Sequence, residues 1–589
     1  MDLSGIYSDK LKHITSFAIY IFVGICLYYF SFKNQFIFDD FHYIQNNPLI
    51  KTTDPQNLVG IFSSFYKWDY LPLTLFSFAL EYKLFGLNPV GYHVTNFVLH
   101  ILNCLLVHIL IYHLTKSFFT TCLTSLFFLI HPVNVESVAW VSELKNLLSF
   151  LFFIAAFILF VQFQKKILSA FLFTLGLLAK VSIIILPLLL VLYEYCYTKI
   201  PLKKAIWDKW PFWFISLIFS AITLMSHSSG KGIKVRVEGD GIHSLYSMVV
   251  IFKEYLIKLF LPLNLNVWYA DIIFISPLNL KVIWAFLWIV GFGLLLKIYR
   301  QKNLTIFFGL SWFLISLLPV SRIAPLAQMM ADRWLYIPYL GLLLAIFSAI
   351  RVYAKKANFN AKNYFFLYVI LGVLFTLNMS LSWERIRDFE SNQALWEDSV
   401  LKSPNNPTAL TALGKVYLDD GKFNKALPLF RKAQTFVPAN PSPKLYMAKV
   451  YQKQMKFQKA EKIYLDVIKE FPGRSFPKVE LGALYTLQSR NKEALNILNK
   501  TLETDPKNLA ALNNKASILI KWGRTKEAVQ ILKKLVDEDS QNAFFMRQLA
   551  SVYINQLNQP ELGVFYLKKS LKLDPDSAET KKALSTLSD

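Results

Sequence analysis

The chain has 589 residues, 54% of them hydrophobic and 16% aromatic with 51 phenylalanines, and it carries a formal net charge of +24. That length exceeds one compact domain, and the composition excludes an ordinary soluble enzyme in favour of a polytopic membrane protein. The four cysteines, Cys26, Cys104, Cys122 and Cys196, all lie in apolar runs, which excludes a secreted disulfide framework.

A bilayer crossing needs roughly 20 apolar residues. Eleven runs, some of them short, read as spans: 14–32, 94–112, 118–131, 147–164, 167–179, 181–198, 211–226, 280–297, 304–319, 334–350 and 364–381. Lys10 and Lys12 precede the first run and no small-residue cleavage site follows it, so a retained signal-anchor is expected. With the N-terminus inside, Lys116 and the basic clusters at 165–166, 199–209, 297–302 and 351–362 all fall inside. The positive excess is thereby accounted for without a nucleic-acid partner. The pattern requires that 246–277 make no simple crossing; with Lys253, Glu254, Lys258, Pro262 and Pro277 it reads as surface-lying or re-entrant. The C-terminal third is then outside.

The loops on the outer face are rich in ionisable groups. The loop 33–93 holds the adjacent carboxylates Asp39 and Asp40, then His42, Trp68, Pro72 and His93; the loop 131–146 holds His131, Glu136, Glu143 and Lys145. Lys180 marks the tight turn between two runs, the loop 227–245 is Gly-rich and polar, and the loop 320–333 holds Arg322, Gln328, Asp332 and Arg333. Charged groups at a membrane surface cost desolvation energy, and their convergence on one face reads as a catalytic crevice. Each also has a plainer reading. Asp332 and Arg333 form a local pair at a helix start, His131-Pro132 ends a span, and Glu136, Glu143 and Lys145 share a solvated face.

From about 404 a fixed period appears. Gly414, Ala448, Gly482, Ala516 and Ala550 are 34 residues apart, with Tyr417, Tyr451, Tyr485, Leu519 and Tyr553 three residues later. Ala426, Ala460, Ala494 and Ala528 keep the step, as do Pro438, Pro472 and Pro506. A 34-residue period with small residues where two helices touch predicts a tetratricopeptide α-solenoid, a fold that binds partners along its concave face. From 403 onward the net charge is +12.

The combination resembles a known family. The segments FIFDDFHYIQNNP (36–48), PLTLFSFALEYKLFGLNPVGYHVTNFVLH (72–100), HPVNVESVAWVSELKN (131–146), LLAKVSIIILP (177–187) and LLPVSRIAPLAQMMADRWLYIPYLG (317–341), in order ahead of the repeats, are similar to those of transmembrane tetratricopeptide O-mannosyltransferase-like proteins and their bacterial relatives, of the C-type glycosyltransferase superfamily. The resemblance implies an all-α chain with a polytopic membrane glycosyltransferase-like domain over 1–381, a degenerate repeat or connector over 382–403, and extracytoplasmic repeats over 404–589. It implies that Asp39 is the general base and that Asp40 supports the site or binds the acceptor. Arg322, Arg333 and Lys180 are then candidates for the phosphate of a polyprenyl-phosphate-linked sugar, since guanidinium matches phosphate in a bidentate way. His42, His93, His131, Glu136, Lys145 and Asp332 are candidates to line the donor and acceptor. Leu71 stands where an arginine often precedes the proline of the second segment, and Val181 where an acidic residue often follows the lysine. No metal site is indicated, and the resemblance leaves metal dependence open.

The expected function is transfer of a sugar, such as mannose, from the lipid-linked donor to a Ser or Thr hydroxyl of a polypeptide held by the repeats. The rival readings are a non-catalytic membrane scaffold and a glycosyltransferase acting on a lipid or glycan. High Lys, Asn, Ile and Phe content and the lack of outer-face cysteines point to a bacterial inner membrane.

Overall fold

In the computed structural model, five of the apolar helices are preceded by a residue whose side chain caps the first turn. Asn88, Ser117, Asn279, Asn303 and Asn360 accept hydrogen bonds from the backbone N–H of Val90, Thr120, Lys281, Ile306 and Asn363, satisfying donors that the first helical turn leaves unpaired. The structure describes residues 3–66, 69–198, 200–229, 241–270, 273–274, 276–321 and 328–588, with the backbone alone for 3–9, 227–229, 241–242 and 588. Trp68, Arg322 and most of the Gly-rich loop therefore lie outside the described residues. Among the described residues the regular structure is helical, apart from one bridge between Tyr66 and Asp69.

All eleven runs fall on helices, from Leu3–Tyr28 through Pro89–Thr115 to Ala361–Asp388. Six described segments are long and apolar enough to cross a membrane, and a seventh is if the bent pair Phe118–Ile130 and Pro132–Ala139 counts as one. The chain is a multi-pass membrane protein. The runs at 167–179 and 304–319 make helices of only 14 and 13 residues. Two stretches read as loops contain further helices. Pro55–Ser63 and Pro72–Phe85 lie within 33–93, each started by a proline whose fixed φ suits a first turn. Residues 131–143 fold inward, bent by 57° at His131 and buried throughout.

The chain forms two compact units, Met1–Gln45 with Val59–Ser403, and Asn46–Leu58 with Pro404–Asp589. In the first, the helices Leu304–Ser316 and Tyr336–Lys356 cross closely. A Cβ on Gly309 would lie 2.5 Å from the Gly341 carbonyl oxygen, and one on Gly341 would lie 2.6 Å from that of Gly309. Only glycine fits both positions, the small-residue device by which membrane helices approach.

In the second unit, helix pairs follow the 34-residue register from Pro407–Asp419 with Phe423–Phe436 to Ala543–Asn555 with Pro560–Leu573, and Ala578–Ser588 closes the series. The small landmarks are the contact points. Ala426, Ala448, Ala460, Ala494, Ala528 and Ala550 are fully buried, and Gly414 abuts the ring of Phe430. The segment Asn46–Leu58 belongs with this unit, where Asp54 stands 3.5 Å from Lys572.

Candidate active site

The acidic pair lies on a strained turn. Phe38 has a φ of +46°, a left-handed backbone that a bulky aromatic residue adopts only when its surroundings impose it. Its N–H donates to Asn392 Oδ1 at 2.8 Å, and its ring packs against Trp140, Trp268 and Trp396 with centroids 5.4, 6.3 and 5.2 Å away. The next residues enter a short π-helical turn, Phe41–Gln45, a geometry frequent at functional sites.

Asp39 and Asp40 have different environments. Asp40 is fully buried; its Oδ2 accepts from the Ile37 N–H at 2.9 Å and its Oδ1 from the Ser142 N–H at 2.8 Å and the Ser142 hydroxyl. Burial pushes its carboxyl up to about 7, while those three donors pull towards the ionised form they serve. Asp40 therefore ties the first loop to residue 142. Asp39 is half-buried, and among the described residues no side chain donates a hydrogen bond to it. It stays within electrostatic reach of Lys145, Arg333 and Tyr43.

Those cations gather around one buried carboxylate. Glu143 takes Lys145 at 3.5 Å, Lys180 at 3.4 Å and the Arg333 Nε at 3.5 Å. Lys180 also donates to Asn146 Oδ1 at 2.6 Å, and the Asn146 amide donates to the Arg333 carbonyl at 3.1 Å. Arg333 pairs with buried Glu136 at 2.5 Å, donates to Gln328 and lies 5.4 Å over the Trp140 ring. Lys145 sits 4.9 Å over the Tyr43 ring, whose hydroxyl donates to Asp69 at 3.3 Å. Three cations thus share Glu143 and Glu136, and Glu136 is divided further with Arg385, at 3.9 Å. Burial, with Lys145 and Arg333 nearby, lowers the Lys180 ammonium to about 8 despite Glu143. The arrangement puts three cationic donors, Lys145, Lys180 and Arg333, at one place beside Glu143, Glu136 and Asp39, and recognition of an anion draws on donors of this kind.

A second network adjoins the first through Asp332. Its Oδ1 accepts from the Tyr269 hydroxyl at 2.6 Å, and its Oδ2 lies 3.5 Å from Arg385, which also reaches Asp388 at 3.0 Å and Asp398 at 3.4 Å. Lys402 pairs with both of those aspartates, at 3.1 and 2.7 Å. Lys258, lowered chiefly by burial, donates to the Asn264 carbonyl at 3.1 Å. The segment 261–270 thus contributes Tyr269 to the site.

The structure brings together Asp39, Asp40, Glu136, Lys145, Lys180, Asp332 and Arg333 from four separate stretches of the chain. His93 and His131 stand apart from the described ion pairs. The His93 Nε2 bonds to the Asn34 carbonyl at 3.0 Å, so His93 fixes the start of the first loop. His131 accepts from the Val133 N–H at 3.2 Å, capping Pro132–Ala139, while its other nitrogen lies 3.2 Å from the Leu259 carbonyl. His42 is exposed, and its carbonyl accepts from the Tyr66 hydroxyl. Glu136 and Glu143 are fully buried, so they do not form the solvated face that their spacing allowed. Glu143, expected only as one of the charges of its loop, is the centre of the cluster, while Asn146, Tyr269 and Arg385 carry no expectation from the sequence. A charge directly after the apolar run 364–381 was the available signal for Arg385. Among the described residues no group of three or more His, Cys, Asp or Glu has metal-binding geometry.

Residues 444–473 and 485–552 match tetratricopeptide repeat family models. The chain is 25% identical over 454 residues to a Caenorhabditis elegans protein O-mannosyl-transferase, covering 71% of this chain and 62% of that one. It is 22% identical over 495 residues to human protein O-mannosyl-transferase TMTC3, covering 73% and 52%. The chain therefore spans between half and two thirds of the length of these relatives. A solved tetratricopeptide repeat protein from Parabacteroides merdae is similar at 16% identity and a TM-score of 0.30, covering 42% of this chain and 93% of that one. Over 71–73% of its length the chain is thus similar to proteins named protein O-mannosyl-transferase, and its second half matches tetratricopeptide repeats.

Proposed function

We propose that this protein is a glycosyltransferase that moves a hexose, such as mannose, from a polyprenyl-phosphate carrier to a Ser or Thr hydroxyl of a polypeptide. The observation that carries this reading is the juxtaposition of half-buried Asp39 with Lys145, Lys180 and Arg333. Asp39 acts as the general base that takes the proton of the acceptor hydroxyl, which then attacks the anomeric carbon of the sugar. The carbon–oxygen bond to the carrier phosphate breaks, and Arg333, Lys180 and Lys145 stabilise the negative charge that stays on the leaving phosphate. Asp40 holds the turn that positions Asp39. Arg322 would add a further cation to the donor phosphate.

A lipid-linked donor accounts for a charged site bordered by apolar helices: the prenyl tail stays in lipid while the phosphate and sugar reach the cluster. The basic loops at the other helix ends support an inside N-terminus and eleven crossings, which would put the site and the repeats on the outer face. The inner membrane of a bacterium is the proposed setting. In this reading the repeats hold the acceptor polypeptide, and 382–403 joins them to the membrane domain.

Mass spectrometry of surface and periplasmic proteins, with and without the gene, tests the proposal. Hexose on Ser or Thr of specific proteins should disappear without the gene and stay absent with an Asp39→Asn copy. An unchanged glycan profile would favour the scaffold reading, and loss of a glycolipid with intact protein glycans would favour a lipid acceptor.

A further inference from the structure

The first and last candidate spans are in contact and end at Lys33 and Asp388. Backbone attachments tie the chain beyond Lys33 to the end of the last helix. The Asn34 side-chain amide donates to the Ile386 carbonyl at 3.4 Å and the Gln35 N–H to the Glu390 carbonyl at 3.0 Å. The Trp383 indole donates to the Cys26 carbonyl at 3.2 Å. Beside these bonds opens a recess of about 480 Å³, lined by Phe30, Lys33, Asn34, Trp383, Arg387 and Glu390. It is separate from the cluster around Glu143, and nothing in the proposed transfer uses it.

Its lining combines aromatic rings with cations. Phe30 is 62% exposed and Trp383 45% exposed, which gives an aromatic wall at the end of two apolar helices. Lys33 and Arg387 are exposed too, and among the described residues neither takes an ion pair or a side-chain hydrogen bond. Cations at helix ends commonly extend singly to water. Here two from distant parts of the chain border one concavity, against a single carboxylate. Tryptophan favours the headgroup level of a bilayer, and basic pockets between membrane helices bind anionic headgroups. The volume falls in the range of small-ligand pockets.

We propose that this recess binds the headgroup of an anionic phospholipid, its phosphate held by Lys33 and Arg387 and its acyl chains lying along Phe30 and Trp383. The bound lipid braces the attachment of Asn34 and Gln35 to the last helix.

The test uses the full chain, purified into nanodiscs of phosphatidylcholine or of phosphatidylcholine mixed with phosphatidylglycerol. Native mass spectrometry reads retained lipid, and thermal unfolding reads stabilisation. The wild type should retain phosphatidylglycerol and melt several degrees higher in the mixed discs. Lys33→Gln with Arg387→Gln should unfold like the wild type in phosphatidylcholine and lose both effects. The charge-preserving pair Lys33→Arg with Arg387→Lys should keep them, as should Lys165→Gln with Lys166→Gln at the far end of the helix that leads to Lys180. Equal retention and equal stabilisation in the Lys33→Gln/Arg387→Gln protein would overturn the proposal. So would inorganic phosphate reproducing the shift in pure phosphatidylcholine, which would mark a phosphate site and not a lipid site.

Discussion

Asn substitutions at the two adjacent carboxylates should separate chemistry from stability. Asp40 receives three donors in a buried site, the Ile37 N–H, the Ser142 N–H and the Ser142 hydroxyl. In Asp40→Asn the amide oxygen can keep the Ser142 pair, but the NH₂ then faces the Ile37 N–H, leaving one buried donor without an acceptor. That costs about 1–3 kcal/mol, and Asp40→Ala, which orphans all three, costs more. Asp39 is half-buried and receives no hydrogen bond from a described side chain, so Asp39→Asn should leave stability within about 0.5 kcal/mol. Loss of a general base should nevertheless slow transfer by roughly 10²–10⁴-fold, about 3–5 kcal/mol of barrier. The assay pairs thermal unfolding of each purified variant with transfer from a radiolabelled lipid-linked sugar in membranes. If Asp39→Asn kept more than about a tenth of the wild-type rate, a scale well above the loss expected for a removed base, the assignment would fail. It would also fail if Asp40→Asn lost activity with no loss of melting temperature, since the roles would then be exchanged.

Three further outcomes follow from particular contacts. The Lys180 ammonium, lowered to about 8 by burial and its cationic neighbours, is charged below that pH and neutral above it. The KM for the lipid-linked donor should therefore rise as pH passes upward through about 8, and in Lys180→Arg, which stays charged, steady-state kinetics should find that rise absent. For folding the sign is set separately: between the lowered pKa and the ordinary 10.5 the unfolded chain binds more protons, so Lys180 makes stability increase with pH there. Gly341→Val would drive a side chain into the Gly309 carbonyl and the Trp312 ring, and overpacking of this kind costs about 1–3 kcal/mol; a lower melting temperature in detergent checks it, and an unchanged one would contradict the close crossing. Arg385→Met leaves Asp332, Asp388 and Asp398 to Lys402 and more distant cations, which should destabilise by about 3–5 kcal/mol, with Arg385→Lys recovering part of the loss in the same melting assay.

The helical character of the membrane domain was legible because its longer apolar runs have the length that a helix needs to cross a bilayer. The repeats were legible because Ala460, Ala494 and Ala528 recur at one period, and only a small side chain fits the helix contact they occupy. The convergence of the acidic pair with 131–146, Lys180 and 328–333 followed from counting crossings. The particular partners did not. That three cations choose Glu143, and that Arg385 reaches Asp332 and Glu136, depends on how helices distant in sequence pack, which no local spacing encodes. His93 and His131 are residue types that suit a site, but the His93 Nε2 and both ring nitrogens of His131 are engaged with backbone groups. The grouping of Asn46–Leu58 with the repeats had no signal at all, since it turns on contacts with residues five hundred positions away.

The central claim is that lipid-linked sugar is consumed at the cluster of Asp39, Lys145, Lys180 and Arg333. Its most direct measurement is a reconstitution of the purified full chain in vesicles with a radiolabelled polyprenyl-phosphate hexose and a fraction of extracytoplasmic proteins. The account predicts label on Ser or Thr of the protein fraction with the wild type and none above background with Asp39→Asn. Label transferred equally by both, or protein left unlabelled by an intact wild type that binds the donor, would contradict it.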